Sequence, residues 1–230
     1  MHRHPTLLLA VHGTRDPHGT AVAHSLALRV AEVTGQPTRL AFADVLAPTV
    51  GEVAAHTPGP LVVVPAFLAS GYHVRTDIPH QLARAGRADA VITPALGEHP
   101  AVLDTAVRRL VGAGYRPGDA VVLACAGTSD PFAGAELEQA AQRMAQRLGT
   151  PVELGFIATG SPTVAEQVTR LRERGHRRVA VASWLLAPGL FHDRLAGAGA
   201  DVVARPLCPD PALAHAVAAR YRQAAIAQPV

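Results

Sequence analysis

The chain contains no lysine, so all 21 of its basic residues are arginine. A Walker-type phosphate loop, a Schiff-base enzyme and a protein kinase each depend on one lysine amine, which excludes pyridoxal chemistry and lysine-dependent phosphoryl transfer. No nucleotide is expected. Aromatic residues are scarce at 4%, with one Trp and three Tyr, and the arginines are scattered along the chain. Nucleic-acid binding draws on a basic stripe interleaved with stacking aromatics, and neither is evident despite a formal charge of +3. An arginine-rich composition is otherwise as compatible with codon usage as with an anionic ligand. Cysteine is limited to Cys125 and Cys208, which fits a reducing compartment better than a disulfide framework. Apolar residues make up 49% of the chain, but 20 Gly and 19 Pro break them into short runs. No membrane-spanning helix is expected, and hence no membrane partner. The opening residues MHRHP lead straight into a strand pattern without the apolar stretch of a secretory leader, so a cytoplasmic location is expected.

What the sequence has in quantity is histidine, 12 residues in all, nine of them within the first 115. It also has an internal repeat. His12-Gly13-Thr14-Arg15-Asp16-Pro17 returns as Ala126-Gly127-Thr128-Ser129-Asp130-Pro131, and Phe42 with Pro48-Thr49-Val50-Gly51-Glu52 returns as Phe156 with Pro162-Thr163-Val164-Ala165-Glu166. Both matches share an offset of 114 residues. Leu68-Ala69-Ser70-Gly71-Tyr72-His73 is echoed more loosely by Leu186-Ala187-Pro188-Gly189-Leu190-Phe191-His192. Two tandem repeats, 1–115 and 116–230, follow from this. The Gly- and Pro-containing stretch 112–119 links them.

Within each repeat, short β-rich apolar runs alternate with amphipathic stretches, the pattern of a parallel sheet with helices on both faces. The first repeat predicts strands over 7–11, 40–45, 61–67 and 90–93, with helices over 18–33, 48–55, 76–85 and 100–111. The second predicts strands over 120–124, 152–157, 178–183 and 201–204. Pro48, Pro100, Pro162 and Pro211 each suit a first helical turn, where the missing amide hydrogen is not needed.

Open α/β sheets bind ligands beyond the carboxyl ends of their strands. His12 follows the first predicted strand, Asp44 lies near the end of the second, and His73 follows the third. A lone histidine at a strand end is most often a cap or a packing residue. Two imidazoles and a carboxylate converging on one sheet edge are instead a ligand set for a borderline divalent metal, Fe(II), Co(II) or Ni(II), and a neutral imidazole is also a base near neutral pH. In the second repeat Ala126 stands in place of His12 and Ala158 in place of Asp44, and only His192 echoes His73. The first repeat is therefore expected to carry the chemistry and the second to complete the binding cleft. Asp16 and Asp77 read as caps, Trp184 as core packing, and Cys125 lacks metal-site spacing.

Val11-His12-Gly13-Thr14-Arg15-Asp16-Pro17, Phe42-Ala43-Asp44 before Pro48, and Gly71-Tyr72-His73-Val74-Arg75-Thr76-Asp77-Ile78-Pro79 together resemble the sirohydrochlorin chelatases, ATP-independent class II enzymes that insert cobalt or iron into a tetrapyrrole. The likeness spans nearly the whole chain. It implies two tandem flavodoxin-like lobes, each a four-stranded parallel sheet flanked by helices, with the tetrapyrrole lying in the cleft between them. It also implies a lyase that acts on sirohydrochlorin in siroheme or cobalamin biosynthesis, with the divalent metal as substrate. His12 and His73 would bind the metal and assist proton removal. Asp44 stands where the family has a glutamate, and, one methylene shorter, it leaves open a metal contact through water or none at all. Arg15 and Arg75, with Arg194 as a further candidate, would meet substrate carboxylates at the rim, and Tyr72 would line an apolar slot.

Other classes fit less well. Histidine phosphatases carry Arg before the His-Gly, where this chain has Val11, and neither a Gly-x-Ser-x-Gly elbow nor a Gly-x-Gly-x-x-Gly turn occurs where hydrolases and dinucleotide enzymes require one. A non-enzymatic carrier of metal or tetrapyrrole on the same two lobes would want the same ligands, and turnover separates it from a chelatase.

Overall fold

A computed structural model describes residues 4–227. The apolar runs of the first repeat form β1 (Thr6–Val11), β2 (Thr38–Phe42), β3 (Leu61–Pro65) and β4 (Val91–Ile92), parallel and in the order β2-β1-β3-β4. Leu9 lies opposite both Leu40 and Val64, and β1 and β3 are buried almost throughout, as a sheet covered on both faces requires. The second repeat gives β5 (Ala120–Gly127), β6 (Val152–Thr159), β7 (Val179–Trp184) and β8 (Val202–Val203) in the matching order β6-β5-β7-β8. This is the flavodoxin-like arrangement expected from the sequence. The second strand stops earlier than its apolar pattern suggests, because the chain turns at Asp44 and Val45 takes a φ of 69°.

Among the described residues the α-helices are α1 (Pro17–Thr34), α2 (Val50–Ala55), α3 (Ile78–Arg84), α4 (Pro100–Gly112), α5 (Pro131–Leu148), α6 (Val164–Glu173), the short α7 (Leu190–Asp193) and α8 (Pro211–Ala227), the last of them following the final strand. Their ends are written in the sequence. Asp16 caps α1 by accepting from the His18 amide at 2.9 Å, Asp130 caps α5 from Phe132 at 2.8 Å, and each helix stops at a left-handed glycine, Gly35 or Gly149. Thr49 with Glu52 and Thr163 with Glu166 form reciprocal capping boxes at α2 and α6. Those boxes displace Pro48 and Pro162 from the first turn expected of them. Each proline instead precedes the cap, where its carbonyl accepts from Phe42 or Phe156 at 2.9 Å. Pro100 and Pro211 do open α4 and α8.

The compact units divide the chain differently from the repeats. One unit comprises the chain up to Leu96 and again from Pro209, and the other runs Gly97–Cys208. Each sheet is thus completed by a helix encoded after the other sheet's last strand or before its first. In the first unit α2 and α3 pack Val50, Ala54, Ile78 and Leu82 on the face formed by Leu8, Ala10, Ala41 and Val63. The opposite side carries α1 and α8, which pack together, and Tyr221 of α8 donates to the Pro5 carbonyl at 2.6 Å. In the second unit α6 packs Val164, Val168 and Leu171 on Val122, Ala124, Val179 and Val181, while α4 lies beside α5 and against β7. Arg109 of α4 donates to the Leu207 carbonyl at 3.3 Å and Arg220 of α8 to the Ala95 carbonyl at 3.2 Å, so both helices are tied to their sheets by the same device. The apolar stripe of α4, Val102, Leu103, Ala106 and Leu110, is fully buried in the second unit. Among the described residues no helix is long and apolar enough to cross a membrane.

Two glycines end the central strands in the left-handed region, Gly13 at φ 97° and Gly127 at φ 106°. A Cβ on Gly13 would lie 2.3 Å from the Asp44 carbonyl oxygen, and one on Gly127 would lie 1.8 Å from that of Thr159. Gly127→Ala is expected to cost more than about 2 kcal/mol, since a steric clash with backbone adds to the cost of the positive φ. Gly149→Ala, at φ 65° with open space around it, should cost only the conformational part, about 1 kcal/mol. Equilibrium urea unfolding of the two variants compares them, and equal losses would show that the close approach carries no energy.

Candidate metal site

In the order β2-β1-β3-β4 the chain moves to one side of β1 and returns on the other, so the gap between β1 and β3 is the switch point at which such sheets bind ligands. His12 leaves β1 there and His73 follows β3. Backbone pairing continues past the strands, with the Ala43 amide donating to the Val11 carbonyl at 2.7 Å and the Asp44 amide to the His12 carbonyl at 3.0 Å. That continuation fixes Asp44 beside His12. The two imidazole rings lie 4.8 Å apart between centroids, and one ligand atom from each of His12, Asp44 and His73 falls within 4.8 Å of the others. Metal–ligand bonds of about 2.0–2.2 Å place donors on one ion no more than about 4.4 Å apart. A small rotation of the exposed His12 or Asp44 side chain closes the set.

His73 opens a single π-helical turn, His73–Asp77, in which the Ile78 amide donates to the His73 carbonyl. Such turns are rare and recur at functional sites. Here the turn brings Asp77 under the ring, with Oδ2 3.0 Å from His73 Nδ1. A carboxylate at that distance holds the hydrogen on Nδ1 and leaves Nε2 as the lone-pair nitrogen. Asp77 in turn accepts from Gln81 Nε2 at 3.2 Å. Phe67, at the foot of the loop after β3, places its ring 6.2 Å from His12 and 6.1 Å from His73. Partial desolvation and then repulsion from His73 hold His12 below the ordinary histidine range, against the opposing pull of Asp44. At neutral pH the His12 imidazole is therefore uncharged. The Asp44 carboxylate is steadied by its own neighbour, as Oδ1 accepts from the Val45 amide at 2.7 Å.

The remaining candidates separate. Tyr72 is 62% exposed and sets its ring edge-on to His73 at 5.6 Å between centroids. Arg15 and Arg75 are exposed on the loops that carry the two histidines. Asp16 is the cap expected of it, whereas Asp77 is not: it sits in helical backbone, caps nothing and serves His73 instead. Trp184, only 2% exposed, is core. Cys125 is buried, and burial pushes its thiol up and out of reach of thiolate chemistry. In the second unit His192 Nε2 is engaged by the Ala204 carbonyl at 3.2 Å, and the Arg194 guanidinium stacks over Phe191 at 5.7 Å. Phe67, Asp77 and Gln81 are the site residues that sequence reasoning misses. The spacing of His73, Asp77 and Gln81 at successive fourth positions is the signal that could have found two of them.

The CbiX family pattern matches the chain twice, over residues 6–113 and 120–224. The sirohydrochlorin cobaltochelatase of Methanothermobacter thermautotrophicus is 34% identical over 80 residues, which span 33% of this chain and 56% of that relative, little more than half its length. Among solved structures, SirB from Bacillus subtilis with Fe3+ superposes with a TM-score of 0.82 at 18% identity, covering 97% of this chain and 96% of that one. The CbiX described as the terminal enzyme of siroheme biosynthesis in denitrifying bacteria gives 0.72 at 22% identity, covering 95% and 99%. At such identities these two establish the fold, a chelatase-like pair of parallel α/β sheets. The family rests on the double match, which takes in both repeats and leaves out only the linker and the chain ends: the protein belongs to the CbiX family.

Proposed function

We propose that this chain is an ATP-independent chelatase that inserts Co2+ or Fe2+ into sirohydrochlorin. The clustering of His12, Asp44 and His73 at the switch point of the first sheet carries the reading. The family membership, the cobaltochelatase relative and the cobalt complex of a SirB of the same fold support it. Insertion exchanges a divalent ion for two pyrrole N–H protons, so the protein must hold the ion loosely and receive protons as it departs. Neutral imidazoles suit both tasks, and thiolates would retain the ion. His12 and His73 are assigned as the metal ligands and the proton acceptors, with Asp44 as a carboxylate neighbour that offsets the charge of the incoming ion. Asp77 keeps His73 in the tautomer whose Nε2 bears the lone pair. Arg15 and Arg75 are assigned to substrate carboxylates, and exposed Tyr72 to the face of the macrocycle.

An anaerobic absorbance assay with sirohydrochlorin and each metal tests the activity, and binding without turnover would mark a carrier instead. His12→Ala and His73→Ala should each weaken Co2+ binding more than about 100-fold while retaining cooperative unfolding, since losing a ligand exceeds the 10–100-fold effect of losing a ligand's partner. His192→Ala should leave binding unchanged, because that ring is already committed to the Ala204 carbonyl. Equal losses at all three positions would point to a pseudo-symmetric site.

Proton competition gives a second expectation. His12 titrates below the ordinary histidine value, so it stays neutral and metal-competent to a lower pH than a free imidazole. Removing the repulsion with His73→Ala should raise its midpoint, and removing the attraction with Asp44→Asn should lower it further. NMR titration of the metal-free protein reads both shifts, and a His12 midpoint that ignores both substitutions would mean the three groups do not share a site.

A further inference from the structure

Gln81 lies on α3, one turn beyond Asp77, and its amide is used at every position. Nε2 donates to the Ala43 carbonyl at 2.9 Å and to Asp77 Oδ2 at 3.2 Å, while Oε1 accepts from the Gly51 amide at 3.2 Å. The orientation is unambiguous. Turning the amide over would set its oxygen against a carbonyl and a carboxylate, and its NH2 against an N–H donor. These partners belong to three different segments. Ala43 immediately precedes Asp44, Gly51 is in the first turn of α2, and Asp77 grips His73. The approach is close enough that a Cβ on Gly51 would lie 3.0 Å from the Gln81 carbonyl oxygen. Gln81 is thus the side chain common to the loop that bears the carboxylate and the turn that bears the second imidazole.

We infer that Gln81 is a positioning residue for the metal site, setting the distance between Asp44 and His73 and the orientation of the His73 ring through Asp77. The inference rests on the reading of His12, Asp44 and His73 as the metal ligands. Its physical basis is that Asp77 and Ala43 present only acceptors to Gln81 Nε2, so the two hydrogens of that one nitrogen hold both in place at once. Without the amide, the two acceptors repel and the His73 ring loses the constraint on its partner. Partners of this kind, one bond removed from a ligand, typically govern metal affinity by about 10–100-fold.

The test uses the intact chain and Co2+ alone, titrated anaerobically and followed by the cobalt d–d absorption. Gln81→Met keeps the length of the side chain and removes both its donors and its acceptor. It should bind Co2+ about 10-fold more weakly and with an altered d–d spectrum, at a melting temperature that still shows cooperative unfolding. If Gln81→Met proves too unstable, Gln81→Glu retains the acceptor for Gly51 and replaces the donors with charge against Asp77. It should shift the spectrum and the affinity in the same direction. A Gln81 variant with wild-type affinity and spectrum, while His73→Ala has lost binding, would overturn the positioning role and leave the metal site intact. If His73→Ala itself binds Co2+ as the wild type does, the metal reading fails and the role of Gln81 fails with it.

Discussion

Gly13 leaves β1 in the left-handed region with its Cα so close to the Asp44 backbone that no side chain fits between them. Everything at the site descends from this approach. Because the two chain segments touch, the Asp44 amide reaches the His12 carbonyl, and a carboxylate and an imidazole from different strands leave the sheet side by side. A residue larger than glycine would force the loops apart by about an ångström, enough to separate His12 from Asp44 as donors to one ion in the proposed site. The second unit makes a similar and tighter approach one residue further on, Gly127 against Thr159, the counterpart of Val45, and there Ala126 and Ala158 stand in place of His12 and Asp44. A close approach of this kind is therefore a property of the duplicated scaffold, and the cluster of two imidazoles and a carboxylate stands on it in one copy.

The two copies show what the scaffold needs and what the site adds. Both share the strand order, the Asp caps, the capping boxes and the left-handed glycines that end α1 and α5. They part after the third strand of each sheet. In the first unit a π-helical turn feeds α3, and the residues of that segment supply the second imidazole, its carboxylate partner and the amide that ties them to the Asp44 loop. In the second unit the corresponding segment is the four-residue α7 followed by one 3₁₀ turn, too short to carry a side chain into the position of Gln81. Exposed His12 and Asp44 and half-buried His73 thus stand on a hydrogen-bonded support, which is how such a cluster can be accessible and still hold its geometry.

Much of this was legible in the sequence. Strand positions followed from buried apolar runs, the starts of α4 and α8 from Pro100 and Pro211, and the candidate site from the rule that ligands gather at strand ends, whereas the capping boxes that displace Pro48 and Pro162 went unread. His12 and Asp44 lie within two residues of a strand's carboxyl end and His73 in the loop segment after β3, so their candidacy is a property of local sequence. What escaped was tertiary. Asp77 before Ile78-Pro79 has the appearance of a cap, and only the π-helical register turns it toward His73 instead. Gln81 reads as an ordinary polar residue of a short helix, since two of its partners lie 30 and 38 residues away. The exchange of α4 and α8 escaped for the same reason. An amphipathic stripe such as Val102, Leu103, Ala106 and Leu110 specifies that a helix is buried, and is silent on which of two similar sheets receives it.

The loop that holds Asp44 carries the clearest strain in the structure. Val45 is β-branched, exposed and at φ 69°, with the Leu46 amide returning to the Asp44 carbonyl at 2.8 Å across it, the bonding of the rare positive-φ γ-turn. A conformation of that kind costs about 1–3 kcal/mol and persists only when its surroundings enforce it. Here they do so from both sides, through the His12 carbonyl that receives the Asp44 amide and through Gln81, which grips the Ala43 carbonyl. The same turn directs the Val45 amide onto Asp44 Oδ1, so one carboxylate oxygen is occupied within the loop. A carboxylate partly satisfied by backbone attracts a cation less strongly than one with both oxygens free. In the proposed metal site an acid held in this way would temper affinity while keeping a negative charge beside the two imidazoles.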